Sequence, residues 1–171
     1  MPEPASVAAV LAFGANLGER AQTIRDAATE LASSPGIISV RLSSLLESVA
    51  VTPAGPSPEE PAYLNAVALV QTTLTPRQLL QTALRIEQQF GRVRTQRWAA
   101  RTLDIDIVAF ADVRVSEPDL VVPHPQAAHR LFVLSPWLEL DPEATLAGVG
   151  RVADIAAALT ATETREAEVA R

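Results

Sequence analysis

The order in which apolar segments switch between two periodicities limits this chain's fold more than any other feature. Val7–Phe13 is an unbroken apolar run of strand length, and Gly14-Ala15-Asn16-Leu17-Gly18 is the turn that hands it to a helix. Over about Glu19–Ala32, Ala21, Ile24, Ala28 and Leu31 recur at helical spacing, and Ser33-Ser34-Pro35-Gly36 stops them. Ile37–Val49 then reads as one long strand or two short ones, and Tyr63–Thr72 as another strand. Thr75-Pro76-Arg77-Gln78 has capping-box spacing with proline at the first helical position, so a second helix is expected, ending near Phe90-Gly91. Thr102–Phe110 returns to strand-like alternation. The order is therefore strand, helix, strand, strand, helix, strand.

Such an order predicts an α+β fold, a ferredoxin-like α/β/α sandwich with a mainly antiparallel sheet. All 171 residues fit one domain, and 48% apolar content is enough for it to bury a core. Short strands are expected near Val113–Val115 and Leu120–Val122. A helix should run from about Gln126 to Trp137 and another from Val152 to Leu159, with residues 160–171 as a frayed acidic tail. Between Thr52 and Ala62 lie four prolines and one glycine, which leave few backbone donors and predict a loop, a candidate lid. No apolar run is long enough to span a bilayer, and Glu3 stands where a signal peptide would be basic. The expectation is a cytoplasmic monomer that binds no membrane. The absence of cysteine agrees with a reducing compartment and rules out disulfides and thiolate metal sites.

All fourteen basic residues are arginine. Without lysine, a Walker-type phosphate loop, a protein-kinase ATP lysine and Schiff-base chemistry are all excluded, so any phosphate must be handled by guanidinium groups. A net charge of -6 argues against general nucleic-acid binding. Asp104 and Asp106 sit one residue apart on a predicted strand, which aims both at one face, roughly 6.6 Å apart. Two such carboxylates repel unless a cation, an arginine or water intervenes, and a solvated sheet face explains them as well as a metal does. The four arginines at 92, 94, 97 and 101, around Trp98, change that balance. Cations beside paired anions suit a metal–triphosphate, since Mg²⁺ favours one or two carboxylates plus substrate phosphates.

The run from Arg85 to Ile107 resembles the signature of the hydroxymethyldihydropterin pyrophosphokinases. So do Gly14-Ala15-Asn16-Leu17-Gly18, Thr52-Pro53 with Tyr63-Leu64-Asn65, and Pro123-His124 with Arg130 and Phe132, in that order across about Val7–Pro142. Alanine occupies position 15 where the family has serine and positions 99 and 100 where it has glycine-proline, and Leu84 stands where a polar nucleotide contact is sometimes found.

The resemblance implies transfer of diphosphate from ATP to the hydroxymethyl group of 6-hydroxymethyl-7,8-dihydropterin, with release of AMP, in folate biosynthesis. It implies two Mg²⁺ ions on Asp104 and Asp106, with Arg92 and Arg101 on the phosphates as catalytic groups. Arg94, Arg97 and Trp98 would belong to a mobile loop closing over the nucleotide, and Glu87, Ile107, His124 and Arg130 would line the ATP site. Tyr63 and Phe132 would wall the flat pterin, Asn65 would pair with its edge, and backbone near Thr52, Pro53 and Gly55 would complete its recognition. Independently of the resemblance, an asparagine among the apolar residues of a strand already calls for a partner. Two rivals compete. One is a non-catalytic ferredoxin-like nucleic-acid module using the 92–101 arginines, which the 4% aromatic content disfavours; the other is a different Mg²⁺-dependent nucleotidyl- or phosphotransferase.

Overall fold

The computed structural model describes residues 2–52, 54–91 and 102–170, with backbone alone described at Val51 and Thr52. The chain runs β1 (Val7–Ala15), α1 (Arg20–Ala32), β2 (Ile37–Leu42), β3 (Leu46–Ser48), β4 (Ala50–Thr52), β5 (Gly55–Ser57), β6 (Tyr63–Thr72) and α2 (Pro76–Gln89). It continues through β7 (Asp104–Phe110), β8 (Val115–Glu117), β9 (Leu120–Val122), a 3₁₀ turn (Ala127–His129), α3 (Leu131–Leu140), β10 (Thr145–Leu146), β11 (Gly150–Arg151) and α4 (Val152–Val169).

The main sheet has the order β2-β6-β1-β7, with β3 also on β6, and every pairing is antiparallel. Each strand–helix–strand unit is thus split by a strand of the other, which is the ferredoxin-like arrangement. Helices α1 and α2 cover one face, burying Ile24, Leu31, Leu79 and Ile86 against Leu11, Phe13, Ile105 and Ile107. Helices α3 and α4 cover part of the other face, where Val133, Leu134, Trp137 and Val152 meet Val10, Val67 and Val108. Both clusters are close-packed, so truncating any of the large side chains to alanine costs about 2–5 kcal/mol.

The capping box forms as its spacing predicts: Gln78 N–H donates to the Thr75 hydroxyl, and the Gln78 side chain accepts from Thr75 N–H. Residues 37–49 form two short strands because Ser43 leaves the ladder between them. Its N–H donates to Val67 O at 2.8 Å and its hydroxyl accepts from Val67 N–H at 2.9 Å, replacing a rung of the ladder with a side chain.

Several expectations are corrected. The proline-rich loop contains a ribbon, β4 paired with β5. Both of its strands are edges, so half their N–H groups point away from the partner and Pro56 fits opposite Val51. The helix expected over 126–137 is broken at Arg130, where φ -126° and ψ 100° are extended. A 3₁₀ turn closed by i→i+3 bonds precedes that break, and α3 starts anew after it. Residues 160–169, expected to fray, continue α4, because alanine, glutamate and arginine sustain a helix without a buried face. Thr160, Thr162 and Thr164 each donate a hydroxyl hydrogen bond to the carbonyl four residues back.

Candidate active site

One end of the sheet presents a row of aligned positions on the face carrying α3. Register sets Asp104 opposite Gly14, Gly14 opposite Asn65, and Asn65 opposite Leu46. The next positions in register are Asp106 opposite Ala12 and, on the other side, Ser48 opposite Tyr63. Directly paired residues of antiparallel strands share a face, so the two carboxylates, Asn65, Tyr63 and Ser48 project together. Leu103, Ile105 and Ile107 lie on the opposite face in the core, as the alternation requires.

Gly14 matters because it has no side chain. A Cβ placed there would stand 3.6 Å from Tyr63 Cδ1 and 3.7 Å from Asn65 Oδ1, so glycine leaves bare backbone between the amide and Asp104. Asn65 is 6% exposed, and its Nδ2 donates to Leu46 O at 3.0 Å and to Ser48 Oγ at 2.8 Å. A carbonyl only accepts, so the Leu46 bond identifies the nitrogen end and turns Oδ1 toward Gly14. Just before Tyr63 the chain is held by Arg20, whose Nη1 donates to Ala62 O at 2.6 Å.

His124 closes the carboxylate side. Its backbone N–H donates to Val108 O at 2.9 Å, anchoring it on β7, and its Nε2 stands 4.0 Å from Asp106 Oδ2. Its Nδ1 accepts from Gln126 N–H at 3.1 Å, so the neutral ring carries its proton on Nε2, facing the carboxylate. Burial lowers the imidazole pKa below its ordinary value, Arg130 lowers it further, and Asp104 opposes both. Arg130 also lies over the Phe132 ring, 5.7 Å from the centroid. Phe132, in the first turn of α3, packs against the cluster on this same face.

The structure thus gathers Asp104, Asp106, His124, Arg130, Phe132, Tyr63 and Asn65. The remaining described candidates stand apart from this group. Glu87 is 2% exposed, and its Oε1 accepts from Ile105 N–H at 2.8 Å across the outer edge of β7, so it braces that strand. The Ile107 side chain is buried in the core, which leaves only its backbone, on that same edge, for a ligand. Thr52 and Gly55 pair with each other in the β4–β5 ribbon, separate from the main sheet. Ser48, which was not among the expected site residues, stands beside Asn65. Pro53, Arg92, Arg94, Arg97, Trp98 and Arg101 lie outside the described residues. Among the described residues no cluster of three metal-ligating side chains forms. The donor set of two same-face carboxylates suits Mg²⁺ all the same, since that ion takes its remaining ligands from water and phosphate.

Comparison with known proteins gives consistent relatives. A family model described as 7,8-dihydro-6-hydroxymethylpterin-pyrophosphokinase matches residues 10–142. A 2-amino-4-hydroxy-6-hydroxymethyldihydropteridine pyrophosphokinase of Synechocystis is 39% identical over 135 residues, 79% of this chain and 67% of the relative. That of Methylorubrum extorquens is 38% identical over 140 residues, 82% of this chain and 86% of the relative. Among solved structures, Plasmodium falciparum HPPK-DHPS with pteroate superposes with a TM-score of 0.69 at 15% identity, over 98% of this chain. An HPPK-DHPS in complex with substrates gives 0.72 at 14% identity, over 95%. The chain spans 45% of each of those two longer chains, and at such identities the likeness concerns the fold alone.

Proposed function

The chain belongs to the 7,8-dihydro-6-hydroxymethylpterin-pyrophosphokinase family, and from that membership we infer how its own residues share the work. Its reaction is the ATP-dependent transfer of diphosphate to the hydroxymethyl group of 6-hydroxymethyl-7,8-dihydropterin, giving AMP and the pterin diphosphate in folate biosynthesis. The alignment of Asp104 and Asp106 on the face that carries Gly14 and Asn65 supports the division of roles. Asp104 and Asn65 are two strand spacings apart, roughly 10 Å. A pterin edge held at Asn65 places its one-carbon arm toward the carboxylates.

In this reading the flat ring lies on the bare backbone at Gly14, with Tyr63 and Phe132 beside it and Asn65 Oδ1 accepting from its edge. The hydroxymethyl oxygen attacks the β-phosphorus, the bond from that phosphorus to the α–β bridging oxygen breaks, and AMP leaves with the oxygen as the hydroxyl proton is released. Asp104 and Asp106 would hold Mg²⁺, two ions by the resemblance, and that metal would neutralise charge between the phosphates. His124 directs Nε2–H at a phosphate oxygen or at Asp106 and Arg130 adds positive charge, while the backbone of Ile107 meets the nucleotide at the strand edge. Arg92 and Arg101 are assigned to the phosphates, and Arg94, Arg97 and Trp98 to the nucleotide, on the resemblance of their motif. Glu87 braces β7, and backbone near Thr52, Pro53 and Gly55 is assigned to the ring on the resemblance of its motif.

Every residue assigned a role here belongs to one chain, which is compatible with a monomer. Lack of cysteine is compatible with the cytoplasm, and no described helix is long and apolar enough to cross a membrane. Incubating the protein with ATP, Mg²⁺ and 6-hydroxymethyl-7,8-dihydropterin, followed by mass analysis, should give AMP with the pterin diphosphate. Release of ADP or pyrophosphate in place of AMP would overturn the reading.

A further inference from the structure

We propose that Ser48 is a positioning residue for substrate recognition: its hydroxyl locks the Asn65 amide so that an oxygen, and never the NH₂, meets the ring edge. The inference rests on the pterin reading of the site and assigns a role to a residue that neither the motifs nor the family resemblance brought forward. Asn65 spends both amide protons inside the protein, on Leu46 O at 3.0 Å and on Ser48 Oγ at 2.8 Å. Among the described residues nothing donates to its Oδ1, which lies over the gap left by Gly14.

With either anchor alone the amide can still swing about its terminal torsion, which is broad and weakly restrained. Two anchors on adjacent positions of β3 fix it. Leu46 pairs directly with Asn65, which brings its main-chain carbonyl within reach, and Ser48, paired with Tyr63 two residues on, presents its side chain on the face that Asn65 occupies. The consequence is a selectivity rule. The site presents a buried acceptor to the ring, so it takes a ring edge carrying an N–H or NH₂ donor and rejects one that offers only acceptors, which would leave Oδ1 unpaired.

The test compares the parent with Ser48→Ala and Ser48→Thr in steady-state turnover of ATP and 6-hydroxymethyl-7,8-dihydropterin, with thermal melting alongside. Ser48→Ala should raise KM for the pterin roughly three- to tenfold, the effect of one neutral hydrogen bond, with KM for ATP unchanged. Ser48→Thr, which keeps the hydroxyl, should restore the parent value. The parent should also bind a ring N-methylated pterin more weakly than the unmodified ring, and Ser48→Ala should narrow that difference. A pterin KM within twofold of the parent in Ser48→Ala, or an equal rise in both KM values, overturns the positioning role while the functional reading stands. A parent enzyme that turns over no pterin overturns the functional reading itself, and the role of Ser48 falls with it.

Discussion

Gly14→Ala should separate stability from activity, because the added methyl fits the protein and not the ligand. The Cβ would meet Tyr63 Cδ1 at 3.6 Å and Asn65 Oδ1 at 3.7 Å, both ordinary van der Waals separations. Gly14 lies within β1 and is absent from the glycines with left-handed backbone, so alanine adopts its conformation without strain. Removing glycine's freedom from the unfolded chain stabilises by about 0.4–1 kcal/mol, which raises the melting temperature of a chain this size by roughly 1–4 °C. The same methyl stands where a stacked ring must approach the backbone. Overpacking of that kind costs about 1–3 kcal/mol, equivalent to a rise of roughly 5- to 150-fold in the dissociation constant of the ring. Melting curves with and without pterin, and titration of ring fluorescence, read both effects in one preparation. A variant that melts several degrees lower, or that binds the pterin as tightly as the parent, refutes the idea that Gly14 is the bare floor of the site.

Asp106→Ala should lower turnover by on the order of a thousandfold, as expected for loss of a metal-holding carboxylate, while circular dichroism stays that of the parent; activity within a few-fold would remove Asp106 from the metal site. Glu87→Ala leaves Ile105 N–H without its acceptor in a buried setting, so urea unfolding should show a loss of about 1–3 kcal/mol that Glu87→Gln largely restores, and an unchanged midpoint would show the brace is dispensable. Glu139 titrates below its ordinary range, first because the Ser44 hydroxyl donates to it and then because Ser44 N–H does. The depressed folded-state pKa means that this clamp stabilises the fold above the unfolded carboxyl pKa and is lost as pH falls through the folded value. Denaturant midpoints measured from pH 6 down to pH 3 should therefore fall less steeply in Ser44→Ala than in the parent, and identical slopes would contradict the assignment.

Much of this architecture is legible in the residues because each element carries its own stop. Gly91 ends α2 with positive φ, Gly36 turns the chain into β2 the same way, and Thr75-Pro76 starts α2 with the capping box its spacing announces. The Asp-Ile-Asp-Ile alternation places 104 and 106 on one face for the same local reason. What escaped depends on contacts distant in sequence. Glu87, expected near the nucleotide from the resemblance, is bonded to Ile105 N–H eighteen residues on, a contact that no local pattern announces. Ser48 could be found only through register, since nothing within β3 distinguishes it. The available signal was Asn65, a buried amide in need of partners, and the hydroxyl that satisfies it lies seventeen residues earlier.

The bulge in β7 explains how one short strand serves both a polar site and two apolar layers. Strict alternation from Asp104 would carry Val108 and then Phe110 onto the face of the carboxylates, leaving the large ring on the side of α3. The register instead slips between Val10 and Leu11, so Ala109 pairs with Val10 and Phe110 with Ala9. Val108 is left as the extra residue, and its side chain and that of Ala109 both meet the α3 cluster, while Phe110 returns to the core beneath α1 and α2. The slip falls after Asp106, so the phase of the two carboxylates is untouched. It also leaves Val108 O to accept from His124 N–H, which ties the imidazole to the strand that bears the acids. Deleting Val108 would remove the bulge and leave Ala109 opposite Val10 and Phe110 opposite Ala9 in strict alternation, with the aspartates still on their own face. The deletion should therefore leave the sheet intact and act on the site, through loss of the carbonyl that anchors His124; a variant that fails to fold would contradict this account of the bulge.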